Sequence, residues 1–230
     1  MTMGSGSEQN RRPLRVDAER NRRRIIAAAR ELFADRGLDV SLDDVAEHAG
    51  VGVGTVYRRF ANRDELIAGV LVEHLHEVVD HARAARDNPD PWSGVVEMVD
   101  GVVGSMAADR GLRAVITRSD HEQPEIAALK TDLGEQAWAV FDRAVAAGVL
   151  RPDLAASDMF AIVAMLTAVA EVTESAVPGT WRRYRELLLD SIRTEPVRAE
   201  LTVAALTEDQ MNIAHRDTLE AVRRAFSTKD

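Results

Sequence analysis

Apolar residues recur at helical spacing along almost the whole chain, and strand-like alternation is scarce. Ile25, Ile26, Ala29, Leu32 and Phe33 form one face of a helix predicted over Arg20–Asp35, and Gly37 supplies its stop. Ser41 and the acids Asp43 and Asp44 mark the start of a second helix, with Leu42, Val45, Ala46 and Ala49 on its apolar side. Gly50 ends that helix, and a third short one is expected from Val53 to Phe60. Asn62 is placed to cap a long helix over Arg63–Arg86. Beyond the Pro-containing connection at 88–91, helices are expected over Trp92–Asp109, Leu112–Arg118 and Pro124–Ala147. Ser157 is the expected cap of Asp158–Glu174; Thr180–Arg193 follows, and a capping-box pattern at Thr207 opens a last helix towards Phe226. The fold class is all-α.

The three helices within 20–60 carry the informative spacing. The second and third are joined by Ala49-Gly50-Val51-Gly52, the length of the turn in a helix-turn-helix. Gly50 tolerates a positive φ, and small Ala46 and Ala49 permit close approach. Val45, Ala46, Val51 and Val56 would form the joint. The third helix then presents Thr55, Tyr57, Arg58 and Arg59, donors suited to phosphates and base edges.

From Ser41 to Leu66 the residues Ser-x-x-Asp-Val-Ala-x-x-Ala-Gly-Val-Gly-x-Gly-Thr-Val-Tyr-x-x-Phe-x-x-Arg-Asp-Glu-Leu resemble the signature of TetR-family transcriptional repressors. The resemblance reaches back to Leu32-Phe33. Ala147-Gly-Val-Leu-Arg-Pro-Asp is also similar to the connection in that family's ligand domain. The resemblance implies that Thr55 and Tyr57 contact phosphate, as does Arg63, which stands where the family usually has Lys. Ser41 matches a helix-start residue that meets the DNA backbone, and Gly54 a position where the recognition helix lies close to DNA. Val53 and Gly52 depart from the family, which commonly has a polar or basic residue and a Ser there. Base reading is therefore expected from Arg58 and from Val53 against a thymine methyl. Phe60 is read as core. Arg11, Arg12 and Arg15 read as an arm for the minor groove or as a disordered basic lead.

The charge distribution allows an anionic partner at one end only, although an offset of this size also arises by fluctuation. Residues 1–63 hold 12 Arg against 9 acids, a net of +3, whereas the whole chain carries −9. The 230 residues contain no Cys, which excludes disulfides, thiolate zinc sites and a cysteine nucleophile. No signal peptide and no run of about 20 apolar residues is apparent, so the expectation is a cytoplasmic protein without a membrane segment. No phosphate-binding loop, dinucleotide fingerprint or nucleophile elbow occurs, so neither cofactor nor catalysis is expected. His74, Glu77 and His81 share a helical face, but the two His lie too far apart for an i, i+4 metal clamp; they are read as surface or pocket histidines.

In the body, Met159–Ala170 is apolar nearly all round, so it is expected to be buried on all sides. Trp181, Tyr184, Leu188 and Ile192 stripe the next helix. These two helices are expected to pair with those of a second copy as a four-helix bundle. Met98, Met106, Trp138, Phe141, Met159 and Met165 are candidate walls of an effector pocket, with His121 or Thr167 as polar anchor.

The expected organisation is a basic lead over 1–16, a DNA-binding head over 17–63 and an effector-binding and dimerisation body over 64–230. The expected function is a homodimeric repressor bound to a palindromic operator and released by a small, largely apolar molecule. The rival reading is an all-helical small-molecule-binding protein or enzyme whose head does not bind DNA.

Overall fold

The computed structural model describes residues 11–108, 123–195 and 201–214, except 208 and 212. Eight helices are defined there: α1 Arg11–Arg36, α2 Leu42–Ala49, α3 Val53–Tyr57, α4 Arg63–Asp87, α5 Pro91–Ala108, α6 Pro124–Ala146, α7 Ala156–Thr173 and α8 Trp181–Ile192. Among the described residues the only extended pairing is an isolated bridge between Leu150 and Arg193. The expected helix over Leu112–Arg118, most of the helix after Thr207 and residues 1–10 of the lead lie outside the described residues.

Local chemistry sets the helix ends. Asn62 accepts from the Glu65 amide at 2.9 Å and so opens α4. Asp90 accepts from the Ser93 amide at 2.9 Å and opens α5, with Pro91 in the first turn. Two expectations are corrected. α1 begins at Arg11 rather than Arg20, so residues 11–16 are helical instead of an unstructured arm. Pro13 fits because a first-turn residue has no amide to satisfy within the helix. α7 begins at Ala156 rather than behind a Ser157 cap: the Asp158 carboxylate reaches back to accept from the Ala155 amide at 2.8 Å.

The chain divides into two compact units. One runs to His76 and takes in the residues leading to Ala128; the other holds Glu77–Ala108 and Leu129 onward. In the first, Ile25, Ala29, Val45, Ala46, Val56, Leu66 and Val70 are fully buried. Phe60 is buried, and a Cβ built on Gly69 would lie 2.7 Å from its ring, so α4 accepts Phe60 only because residue 69 lacks a side chain. An ion pair of 2.6 Å between Arg22 and Glu73 ties α1 to α4.

In the second unit α5, α7 and α8 build a core of Val95, Val99, Val103, Ile162, Leu166, Ala170, Trp181 and Leu189, joined by Val140 and Ala144 of α6. α4 and α5 meet backbone to backbone: a Cβ on Gly94 would come within 2.6 Å of the Ala85 carbonyl oxygen. Arg143 of α6 donates to the carbonyls of Arg86 and Asn88 and satisfies the end of α4.

Within the single chain α7 is not buried on all sides. Only Ile162, Leu166, Ala170 and Thr173 of this helix are buried, while Phe160 and Met165 are exposed. By length and composition α7 is also apolar enough to cross a membrane, although no run of about 20 apolar residues had been apparent.

The glycines yield a paired stability test. Gly94→Ala drives a methyl into a backbone carbonyl and is expected to cost about 1–3 kcal/mol. Gly134→Ala on α6 meets nothing within 4 Å and is expected to stabilise by about 0.5–1 kcal/mol. Thermal melts of the two variants should therefore move in opposite directions.

Candidate nucleic-acid interface

The interface is built on the α2–turn–α3 unit. The Ser41 hydroxyl accepts from the Asp44 amide at 3.1 Å, and Asp44 accepts from the Ser41 amide at 3.0 Å and from its hydroxyl. These bonds to Ser41 hold the Asp44 carboxyl below its ordinary range. The carboxylate's half of the cap is therefore fully present above the ordinary carboxylate range and weakens as acidification protonates Asp44, while the bond from the Asp44 amide to the Ser41 hydroxyl does not depend on that charge. At the other end of α2, Gly50 takes φ 62°, its amide donates to Glu47 O and the Val51 amide donates to Ala46 O, each at 3.0 Å. This is a Schellman stop. It turns the chain so that α3 starts after Gly52.

α3 has one buried residue, Val56, and packs on α2, whose Val45 and Ala46 are fully buried as well. Val51, expected in that joint, is half-buried. Val53 and Tyr57 are exposed at 45% and 50%, although both are large and apolar. Gly54 and Arg58 are exposed beside them. Thr55 is half-buried, and its hydroxyl accepts from Arg58 Nη2 at 3.2 Å. Val53, Gly54, Thr55 and Tyr57 thus stand on one short helix with Arg58 at its C-cap, four of the five open to solvent. Donors and an apolar surface are together there, as reading a major groove requires.

Ser41 and Arg63 are exposed at the starts of α2 and α4, each already engaged. The Ser41 hydroxyl serves the cap, and Arg63 pairs with Asp39 at 3.1 Å. Both groups of that pair are largely exposed, so it contributes about 0–1 kcal/mol and is readily exchanged for a phosphate.

Arg24 escaped the sequence reading. Its Nη2 donates to Ala49 O at 2.7 Å, binding α1 to the turn. In the sequence it is one of three successive arginines on a predicted helix, with the look of a solvated face. His48 was missed too: its Nε2 lies 2.6 Å from a Glu31 carboxylate oxygen, joining α2 to α1.

The body residues are dispersed. Met98, Phe141 and Met159 pack against the second unit's core. Met106 and Thr167 are half-buried. Trp138 and Met165 are exposed at 58% and 48% and are not inward-facing walls as expected. Trp138 makes an edge contact with Phe141 at 6.3 Å, and Leu166 takes the core position beside Met165. His121 lies outside the described residues. One cleft, of about 440 Å³, is lined instead by His81, Ala84, Glu97, Asp100 and Gly101. His74 is buried whereas His81 is exposed, its Nδ1 2.7 Å from Glu77 O, so the His face read from spacing is divided.

Residues 25–70 match the family profile described as bacterial regulatory proteins, tetR family. An HTH-type transcriptional regulator of Staphylococcus aureus is 33% identical over 76 residues, which are 33% of this chain and 41% of that protein. The chain thus spans less than half the length of the curated relatives it matches. Among solved structures, a TetR transcription regulatory protein of Mycobacterium vanbaalenii is 28% identical with a TM-score of 0.61, covering 79% of this chain and all of that one. A TetR transcriptional regulator of Streptomyces coelicolor is 27% identical with a TM-score of 0.55, covering 76% of this chain and 99% of that one.

Tyr57→Phe and Arg63→Ala should weaken binding to a duplex with little change of sequence preference, because phosphate contacts position without specifying. Arg63→Ala should also flatten the plot of log K against log salt by about one unit. Filter binding across a salt series measures both, and unchanged affinity and slope would take the two residues out of the interface.

Proposed function

We propose that the chain is a TetR-family transcriptional regulator that acts as a repressor: a homodimer that binds a palindromic operator through residues 17–63 and is released by a small molecule held in residues 64–230. One observation carries the DNA-binding half. A short helix fixed by a glycine turn exposes Val53, Tyr57 and Arg58 together, with Arg63 and Ser41 at neighbouring helix starts. Val53 and Arg58 read bases; Thr55, Tyr57, Arg63 and Ser41 hold the backbone, and Gly54 permits close approach. The site of action is the cytoplasm, where the operator lies.

The exposed side of α7 supports the dimer. Phe160, Ala161, Ala164, Met165 and Ala168 recur at helical spacing on its solvent side, and Leu187 of α8 is also exposed. A second copy covers this surface by an isologous four-helix contact. That burial accounts for a helix apolar all round and exposed on one side in the single chain, without invoking a membrane.

Two recognition helices in such a dimer read half-sites about 34–36 Å apart. Helix α4 begins after the head and continues into the second unit, so it serves as the lever. An effector that binds one body conformation better shifts the population away from the DNA-fitting spacing. The proposed effector is small and largely apolar and lies against Met98, Phe141 and Met159, between α5, α6 and α7.

Two measurements test this reading. The chain should retard a palindromic duplex drawn from the DNA flanking its own coding region, with affinity falling steeply as salt rises. Absence of retardation on any such duplex favours a helical ligand-binding protein or enzyme. Ala164→Arg should leave the single chain folded, since residue 164 is exposed, yet place an unpaired charge in the dimer contact at a cost of several kcal/mol. Light scattering should then report about 25.2 kDa for this variant and twice that for the unaltered chain. A monomeric unaltered chain overturns the dimer.

A further inference from the structure

The turn between α2 and α3 is held from outside by a cation. Nη2 of Arg24 donates to the carbonyl oxygens of Ala49 at 2.7 Å and Gly50 at 3.4 Å. These acceptors lie at the C-terminal end of α2, where carbonyls lack intrahelical partners and the helix dipole favours positive charge. A Cβ built on Gly50 would lie 3.3 Å from the same Nη2, so a side chain there would crowd the guanidinium as well as strain the positive φ.

The arm that carries this cation is fixed at both sides. Ile25 and Ile26, next along α1, are buried, and Arg22 is paired with Glu73 of α4 at 2.6 Å. The element it steers has little hold of its own. α3 is five residues long, has no side-chain cap bond, and buries Val56 alone. Its direction therefore follows from the turn more than from its own packing.

We infer that Arg24 is a positioning residue for the recognition helix: it spends its charge on the turn carbonyls, not on phosphate, and so sets the angle at which Val53, Tyr57 and Arg58 meet the groove. The inference rests on the DNA-binding reading given above. It separates two kinds of arginine in one head, one that grips the duplex and one that aims the gripping surface. The two differ in a measurable way. Loss of a phosphate contact weakens all duplexes alike and lowers the salt slope. Loss of aim weakens the matched duplex selectively, because base-edge hydrogen bonds depend on direction.

The test uses the full chain and a random 20-base-pair duplex pool, from which the unaltered protein selects its preferred sequence. Arg24→Met, Arg24→Gln and Arg24→Lys are then measured on that duplex and on a scrambled one, across a salt series. Circular dichroism establishes that each is folded at the assay temperature. Arg24→Met should lose about tenfold on the selected duplex, the scale of a charged hydrogen bond, with under about twofold loss on the scrambled one and an unchanged salt slope. Arg24→Lys should recover part of the loss. If Arg24→Met does not fold, Arg24→Gln, which retains a donor, takes its place with the same expected pattern. Equal weakening of both duplexes with a slope lower by about one makes Arg24 a phosphate contact and overturns the inference. Full affinity of the folded variants for the selected duplex overturns it too. Failure of the unaltered protein to select any sequence refutes the DNA-binding reading itself, and with it the basis of this one.

Discussion

The left-handed backbone at Gly50 is the constraint on which the head depends. It lets two amides close on the last turn of α2 while the chain changes direction. Val45, Ala46 and Val56 become fully buried only because the turn brings α3 back onto α2. The same geometry keeps Val53 and Tyr57 in solvent, where burial of apolar surface gives no reason to put them. A β-carbon at residue 50 would strain the turn and crowd Arg24, so the backbone, the joint and the exposed surface all depend on one missing side chain.

Much of the head was legible in the sequence because its determinants are local. Ser41 with Asp44, Gly50 and Asn62 each act within four or five residues, and each does what its spacing suggests. The start of α1 was not legible, because the basic run at 11–15 reads as an arm or a disordered lead, although Pro13 is compatible with a first turn. Arg24 and His48 were missed for a different reason. Their partners, Ala49 O and Glu31, are reached only once α1 lies across α2. In the body, α7 misled by composition. A helix apolar on every side offers no periodicity to say which side faces inward, so Met165 was placed inside when Leu166 holds that position. Trp138 failed similarly: an aromatic suggests a wall, but Val140 and Ala144 are the residues of α6 that enter the core.

The engaged state of the head's cations qualifies any argument from counting charges. Arg63 has Asp39, Arg58 has Thr55 and Arg24 has the turn. Exposed pairs of this kind are cheap to exchange, whereas bonds to orphan helix carbonyls are costly to give up. The chain thus sorts its arginines by the type of partner each already holds. A net of +3 over the first 63 residues describes how many positive charges are present, not how many are available.

The crossing of α4 and α5 has a mechanical meaning. At Gly94 the two backbones are separated by less than a side chain, and at Gly101 a Cβ would lie 3.0 Å from that of His81. Layers of flexible side chains can absorb a displacement by changing rotamers; a contact between main chains has no such compliance. Whatever displaces α5 therefore carries the adjoining stretch of α4 with it, and the two helices form a stiff element set between softer, side-chain-packed neighbours.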